Sequence, residues 1–313
     1  MDPFLNALIS TINPYIMQIL VNIGIAVILA LGLNVITGLT GQLSLGHAAF
    51  MSIGAFTSAL LTIKFALPFG LNLLLTGVVS AAAGAIIGYP ILRLTGDYLA
   101  ICTLGFAEIV KVFFLNLDVT NRALGLTVPP PTTVLPLPFW VAGAGFLATI
   151  AVAYIQNSRF GRALKAIRED EIAAAATGIC VARYKVQSFA IGTFLAGVGG
   201  GLYAHVLSYI NPSDFGFLKS VDILSMVVLG GLGSIPGTII GAAILSSAPE
   251  FLRFMDEYRM LVYGVLLVAL MVFRPNGLLG GVNFTGLVLK ALGRRVEEAT
   301  KHRQRPGTEK EGE

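Results

Sequence analysis

The sequence is short of charge. Asp, Glu, Lys and Arg make up 12% of its 313 residues, against about 25% in an ordinary soluble domain. A water-soluble globule of this length would lack the polar side chains to cover its surface. A soluble enzyme and a disordered chain are therefore excluded. Cysteine is scarce as well. Cys102 lies in an apolar run and Cys180 in a basic stretch, so neither a disulfide nor a metal framework is indicated. No Gly-x-x-x-x-Gly-Lys-Ser/Thr occurs, and the chain cannot build a loop that cradles nucleotide phosphates. His-Glu-x-x-His and Gly-x-Ser-x-Gly are also missing, which leaves no recognisable metalloprotease or hydrolase centre. The first residues lack the basic region of a cleavable leader, and we expect none to be removed.

What the sequence has instead is apolar length. Hydrophobic residues make up 55%, and the mean hydropathy is +0.81. This composition predicts a polytopic membrane protein. From Pro3 to Ile63 there is no Asp, Glu, Lys or Arg, enough chain for two spans of about 20 residues and a break between them. The break is Gly38-Leu-Thr-Gly-Gln-Leu-Ser-Leu-Gly46. Spans are expected at 15–37, 48–64, 71–92, 98–117, 134–156, 186–208, 220–232, 237–254 and 259–274. The fold class is all-α: a transmembrane helical bundle of about 8–9 spans with Gly-rich broken helices, since a helix satisfies its own backbone in lipid. Long unbroken apolar runs argue against a β-barrel. The domains are a membrane unit over 1–275, with a polar loop at 157–185 inside it, and a tail over 276–313.

The basic residues fix the orientation. Of 21 Lys and Arg, six lie between Arg159 and Lys185 and eight from Arg274 to Lys310. Both segments should be cytoplasmic by the positive-inside rule, which also accounts for a pI near 9.1 without nucleic acid. The 118–133 loop is then external, and five intervening spans put the N-terminus outside, provided the Gly38–Gly46 region is crossed and not re-entrant.

Glycine is abundant, at 36 residues. The pairs Gly84/Gly88, Gly197/Gly201 and Gly237/Gly241 have the spacing that lets helix backbones approach closely. Two segments stand apart: Gly38–Ala49, with Gly38, Gly41 and Gly46, and Gly230–Gly241, with Gly230, Gly231 and Gly233. Paired Gly-rich interruptions in the two halves of a chain point to inverted repeats and a pathway between them. Asn34, Gln42, Ser44 and His47 surround the first. Either they wall or gate a pathway, or Gln42 and Ser44 cap broken helix ends while His47 bonds a carbonyl. Glu108 and Lys111 share a helical face, as an ion pair or as a relay. Asp97 is expected to cap its helix, and Asp222 similarly.

The 157–185 loop is patterned. A basic helix is expected at 160–168, carrying Arg162 and Arg168. After Glu169, Asp170 is the expected N-cap of a second helix through Glu171 and alanines 173–176, with Gly178 as its C-terminal cap. The small face of Ala173 and Ala174 suits docking against another protein; a surface helix on a topology loop is the alternative. In the tail, Phe284, Leu287, Val288, Ala291 and Leu292 have the spacing of an interfacial basic helix on membrane lipid, followed by a disordered polar end after Thr300.

Four runs resemble the LivM-type permeases, membrane subunits of ABC importers for branched-chain amino acids. They are Gly32–Phe50, Leu92–Ile109, Ser158–Asp170 and Val227–Gly241. They occur in the family's order and cover about 20–275. The resemblance implies a type II ABC importer-like fold and a bacterial or archaeal inner membrane. It implies four kinds of partner: a LivH-like second permease, two ATPase subunits of LivG/LivF type, an extracytoplasmic solute-binding protein and lipid. It implies no cofactor in this chain, ATP being bound by the ATPases, and makes 157–185 the segment that couples to them. The wider superfamily's Glu-Ala-Ala-x-x-x-Gly pattern is met by Ala173, Ala174 and Gly178, with Ile172 in the Glu position. The resemblance is less specific for the substrate, since related permeases move urea, amides, other amino acids and aromatic acids. An ion-gradient transporter using Glu108, Lys111 and His47 is the rival, and a membrane-embedded enzyme a more distant one.

Overall fold

The computed structural model describes residues 13–65, 67–131, 133, 135–251, 264, 265 and 268. Among the described residues ten α-helices follow in order: α1 Pro14–Leu33, α2 His47–Phe65, α3 Phe69–Ile91, α4 Asp97–Asn116, α5 Leu137–Asn157, α6 Arg159–Glu169, α7 Glu171–Ala176, α8 Val181–Leu207, α9 Phe217–Gly230 and α10 Ile235–Phe251. A π-helical stretch, Asn34–Leu39, extends α1. Two short strands, β1 Leu126–Thr127 and β2 Tyr209–Ile210, pair antiparallel. Six of these elements are long and apolar enough to cross a membrane: α1 with its π stretch, α2, α3, α4, α5 and α8.

The expected spans at 220–232 and 237–254 exist as helices but are short. At 14 and 17 residues, α9 and α10 reach only about 21 and 26 Å, less than a hydrocarbon core of about 30 Å. Gly231 and Gly233, at φ 106° and 83°, make the turn between them. The expected span at 259–274 lies outside the described residues, apart from 264, 265 and 268. The tail helix and its disordered end also lie outside them.

The bundle is built around α8, whose glycines face different neighbours. A Cβ on Gly192 would stand 2.6 Å from the Gly32 carbonyl oxygen of α1. On Gly197 it would stand 3.0 Å from the Thr76 carbonyl oxygen of α3, and on Gly200 it would meet the Met51 carbonyl of α2. The backbones of three helices thus approach α8 directly, as the small-residue spacing predicts. Gly84 and Gly88 of α3 likewise face Thr193 and Phe189.

These contacts also fix direction. Gly32 meets Gly192 while Leu29 meets Gly199, so α1 runs against α8. Gly54 meets Gly197 while Ser58 meets Gly201, so α2 runs with it. The chain therefore reverses across the Gly38–Gly46 break, as the expected parity requires. At the other end, the β1–β2 pairing ties the 118–131 loop to the C-terminus of α8.

Two expected caps are corrected. Gly96, at φ 60°, is the N-cap of α4, and no side chain caps that end; Asp97 is the first helical residue, where its charge complements the helix dipole. Asp222 lies within α9, not at its end. Where Gly96 already supplies the tight turn, no carboxylate is needed to make it.

Candidate translocation gate and coupling segment

The first break opens with the widened turns of Asn34–Leu39. Thr40 Oγ1 donates to the Val35 carbonyl at 3.1 Å, and the backbone N–H of Gln42 to that of Ile36 at 3.3 Å. Gly41 then takes φ 75°, a left-handed conformation that an L side chain disfavours. From there the chain returns along α1 without helical structure. His47 Nε2 meets the Leu29 carbonyl oxygen at 3.1 Å, about 15 Å back along the axis. Non-helical backbone at this depth needs partners. Two hydroxyls from other helices supply them: Thr103 Oγ1 accepts from Leu45 N–H at 3.0 Å, and Ser220 Oγ from Ala48 N–H at 3.1 Å. Gly46 packs on the Thr103 carbonyl, where a Cβ would come within 2.5 Å.

The side chains of this segment are treated differently from its backbone. Asn34, Gln42, Ser44 and His47 are all buried. Among the described residues, seven buried side-chain nitrogen or oxygen atoms have no partner, and six belong to residues 34–47. They are Asn34 Nδ2, Thr37 Oγ1, both amide atoms of Gln42, Ser44 Oγ and His47 Nδ1. The expectation that Gln42 and Ser44 cap helix ends is therefore not met. His47 does bond a carbonyl, with one ring nitrogen only. Unpaired buried groups cost about 1–3 kcal/mol each, so a cluster of them requires an explanation beyond packing.

The second break lies against the first. Asn34 Oδ1 accepts from Gly233 N–H at 2.8 Å, and a Cβ on Gly38 would stand 2.5 Å from that nitrogen. Gly230 packs directly on the Gly237 carbonyl, bringing α9 and α10 together. The Gly233 carbonyl accepts from Gln156 Nε2, at the end of α5, at 3.0 Å. Arg168 Nη1 donates to the Gly38 carbonyl at 2.6 Å. The two Gly-rich interruptions and the 157–185 segment thus converge on one point.

That segment folds much as its pattern dictates. Ser158 caps α6, accepting from Gly161 N–H at 3.1 Å. Asp170 caps α7, accepting from Ile172 and Ala173 N–H at 2.8 and 3.0 Å. Gly178, at φ 89°, closes it, with Ile179 N–H donating back to the Ala174 carbonyl. Glu171 is ion-paired to Lys185 of α8 at 2.5 Å. Arg162 donates to the Asn157 carbonyl at 3.1 Å, and Glu169 is exposed. One expectation needs correction: Ala174 is buried within this chain, whereas Ala173, Ala175, Ala176 and Ile172 are exposed. The open face of α7 is the Ile172–Ala173 side.

Glu108 and Lys111 form a local ion pair at 3.4 Å, partly open to the surroundings. Among the described residues, no hydrogen bond or ion pair joins them to His47, whose ring bonds the Leu29 carbonyl instead. Sequence reasoning missed Thr103, Gln156 and Ser220, whose only signal was a polar residue in an apolar helix. It also missed a buried network on α2, α3 and α8. There His205 bonds Thr62 at 3.0 Å and the Gly201 carbonyl at 2.9 Å, and Asn72 bonds Thr62 at 2.7 Å.

Comparison with known proteins shows what kind of helix-broken membrane bundle this is. Residues 15–271 match the family described as branched-chain amino acid transport system / permease component. The chain belongs to this family. Over 287 residues it is 40% identical to the high-affinity branched-chain amino acid transport system permease protein LivM of Salmonella typhimurium, covering 82% of this chain and 68% of that one. It is 29% identical to the permease protein BraD of Pseudomonas aeruginosa, covering 81% and 91%. With the permease protein LivH of Escherichia coli it shares 27% identity, over 81% and 90%. The permease is therefore an integral membrane transport protein, and its resemblance to LivM-type sequences holds across most of its length.

Proposed function

We propose that this permease is one of two membrane subunits of an ATP-driven importer of branched-chain amino acids in a bacterial or archaeal inner membrane. The 40% identity to a LivM permease carries the substrate class. In this reading an extracytoplasmic binding protein delivers leucine, isoleucine or valine at the external face. The 118–131 loop and the Tyr209–Ile210 strand, paired to each other, supply one platform there. A LivH-like chain forms the other wall of the pathway. Two ATPase subunits dock on the cytoplasmic 157–185 segment, and the tail is cytoplasmic as well. The Gly38–His47 segment gates the pathway, which accounts for its unpaired Gln42, Ser44 and His47 atoms: solute or water satisfies them when the gate opens. The chain itself binds no ATP and performs no covalent chemistry.

The test is reconstitution with these four partners in proteoliposomes and measurement of radiolabelled leucine uptake. ATP-dependent uptake that requires this chain and is competed by isoleucine and valine is expected. Uptake that persists without ATP but collapses with an ion gradient would refute the importer reading. ATP-driven uptake of urea or amides in place of leucine would refute the substrate class.

A further inference from the structure

Arg168 belongs to the cytoplasmic segment by sequence and to the gate by contact. Its helix, α6, is anchored by buried Leu164 and Ile167. From its last turn the guanidinium reaches the Gly38 carbonyl, 130 residues earlier in the chain. That carbonyl lies at the C-terminal end of α1's π stretch, where helix carbonyls lack intrahelical donors and the dipole favours a cation. The surroundings are bare backbone. A Cβ on Gly41 would stand 3.1 Å from Arg168 Cγ, and one on Gly233 3.1 Å from Arg168 Nη1. Glycine at both breaks therefore leaves room for this one side chain. Gln156, just before the cytoplasmic segment, holds the same Gly233 turn from the other side.

We propose that Arg168 is a positioning residue that transmits movement of the ATPase-coupled segment to the gate, through its hydrogen bond to the Gly38 carbonyl. The proposal rests on the importer reading above. A displacement of α6 cannot leave the π stretch in place without breaking a charge-assisted bond, which is among the stronger kinds. Gly41 and Gly233, both in left-handed backbone, are the points at which the two breaks can yield.

The experiment measures leucine uptake and ATP hydrolysis in the same proteoliposomes, with all partner subunits present, for R168Q and R168K. In R168Q complexes that retain their ATPases, uptake per ATP hydrolysed is expected to fall at least tenfold. R168K should recover part of that ratio, because an ammonium can still donate to Gly38 but has no planar fork to lie over Gly233. An unchanged uptake-to-ATP ratio in R168Q overturns the proposal. So does a parallel loss of assembly, hydrolysis and uptake, the signature of a helix cap and nothing more. If the unaltered complex shows no ATP-driven uptake, the importer reading fails first, and separably.

Discussion

Gln42→Met should make the permease more stable and less active. Gln42 is 3% exposed, and neither its amide nitrogen nor its amide oxygen has a partner. Methionine has nearly the same length and volume and no hydrogen-bonding group, so the replacement removes two unpaired polar atoms without opening a cavity. At about 1–3 kcal/mol for each atom, even the lower bound gives roughly 2 kcal/mol of stabilisation for the closed arrangement. The open arrangement, in which the amide is solvated, gains nothing comparable. The equilibrium between the two then shifts by the same 2 kcal/mol, about thirtyfold towards closed. Thermal unfolding of the detergent-solubilised chain should rise by several degrees, since about 1 kcal/mol moves the midpoint of a protein this size by roughly 2–4 °C. Leucine uptake in the reconstituted importer should fall at least tenfold. A methionine variant that is less stable and transports normally would refute the reasoning: Gln42 would then be satisfied in the closed state and idle in the open one.

The structure separates two neighbouring alanines. Ala174→Glu forces a charge into a buried site within this chain and should lower its own expression and thermal stability, by several kcal/mol. Ala173→Arg, on the exposed face, should leave folding intact but reduce co-purification of the ATPases; equal behaviour of the two would undo the assigned face. Gly46→Ala should cost about 1–3 kcal/mol by overpacking against the Thr103 carbonyl, readable as a lowered unfolding midpoint. Gly41→Val places a β-branched side chain at φ 75° and should abolish uptake; normal transport by that variant would remove the need for the left-handed turn.

The features legible in the sequence are those fixed by neighbours along the chain. Asp170 and Gly178 were recognisable as caps because capping bonds span only two to five residues. The break at Gly38–Gly46 was visible because glycines and polar residues interrupt an uncharged apolar run. The corresponding break at Gly230–Gly233 was visible for the same reason, but its contact with Asn34 was not. Arg168 could be assigned to the cytoplasmic segment but not to the Gly38 carbonyl, since nothing local points an arginine at a partner 130 residues away. Thr103 and Ser220 are ordinary hydroxyls within apolar helices until the fold brings unpaired N–H groups to them. Ala174 was misassigned because four alanines in a row have no periodicity, and only packing against the rest of the chain shows which one turns inward.

The bare faces of α8 have a mechanical consequence. Helices that interlock through side chains, ridge into groove, resist both separation and sliding. α3 is held that way, with Thr193 and Phe194 of α8 seated against Gly84 and Gly77. Towards α2 the contact is different: at Gly54 against Gly197, and at Gly200 against the Met51 carbonyl, backbone meets backbone and no side chain stands between the two helices. Such a face holds α2 close by dispersion and offers no tooth to clear in a small glide along α8. His47 opens α2, so a glide of that kind would carry the end of the Gly38–His47 segment with it.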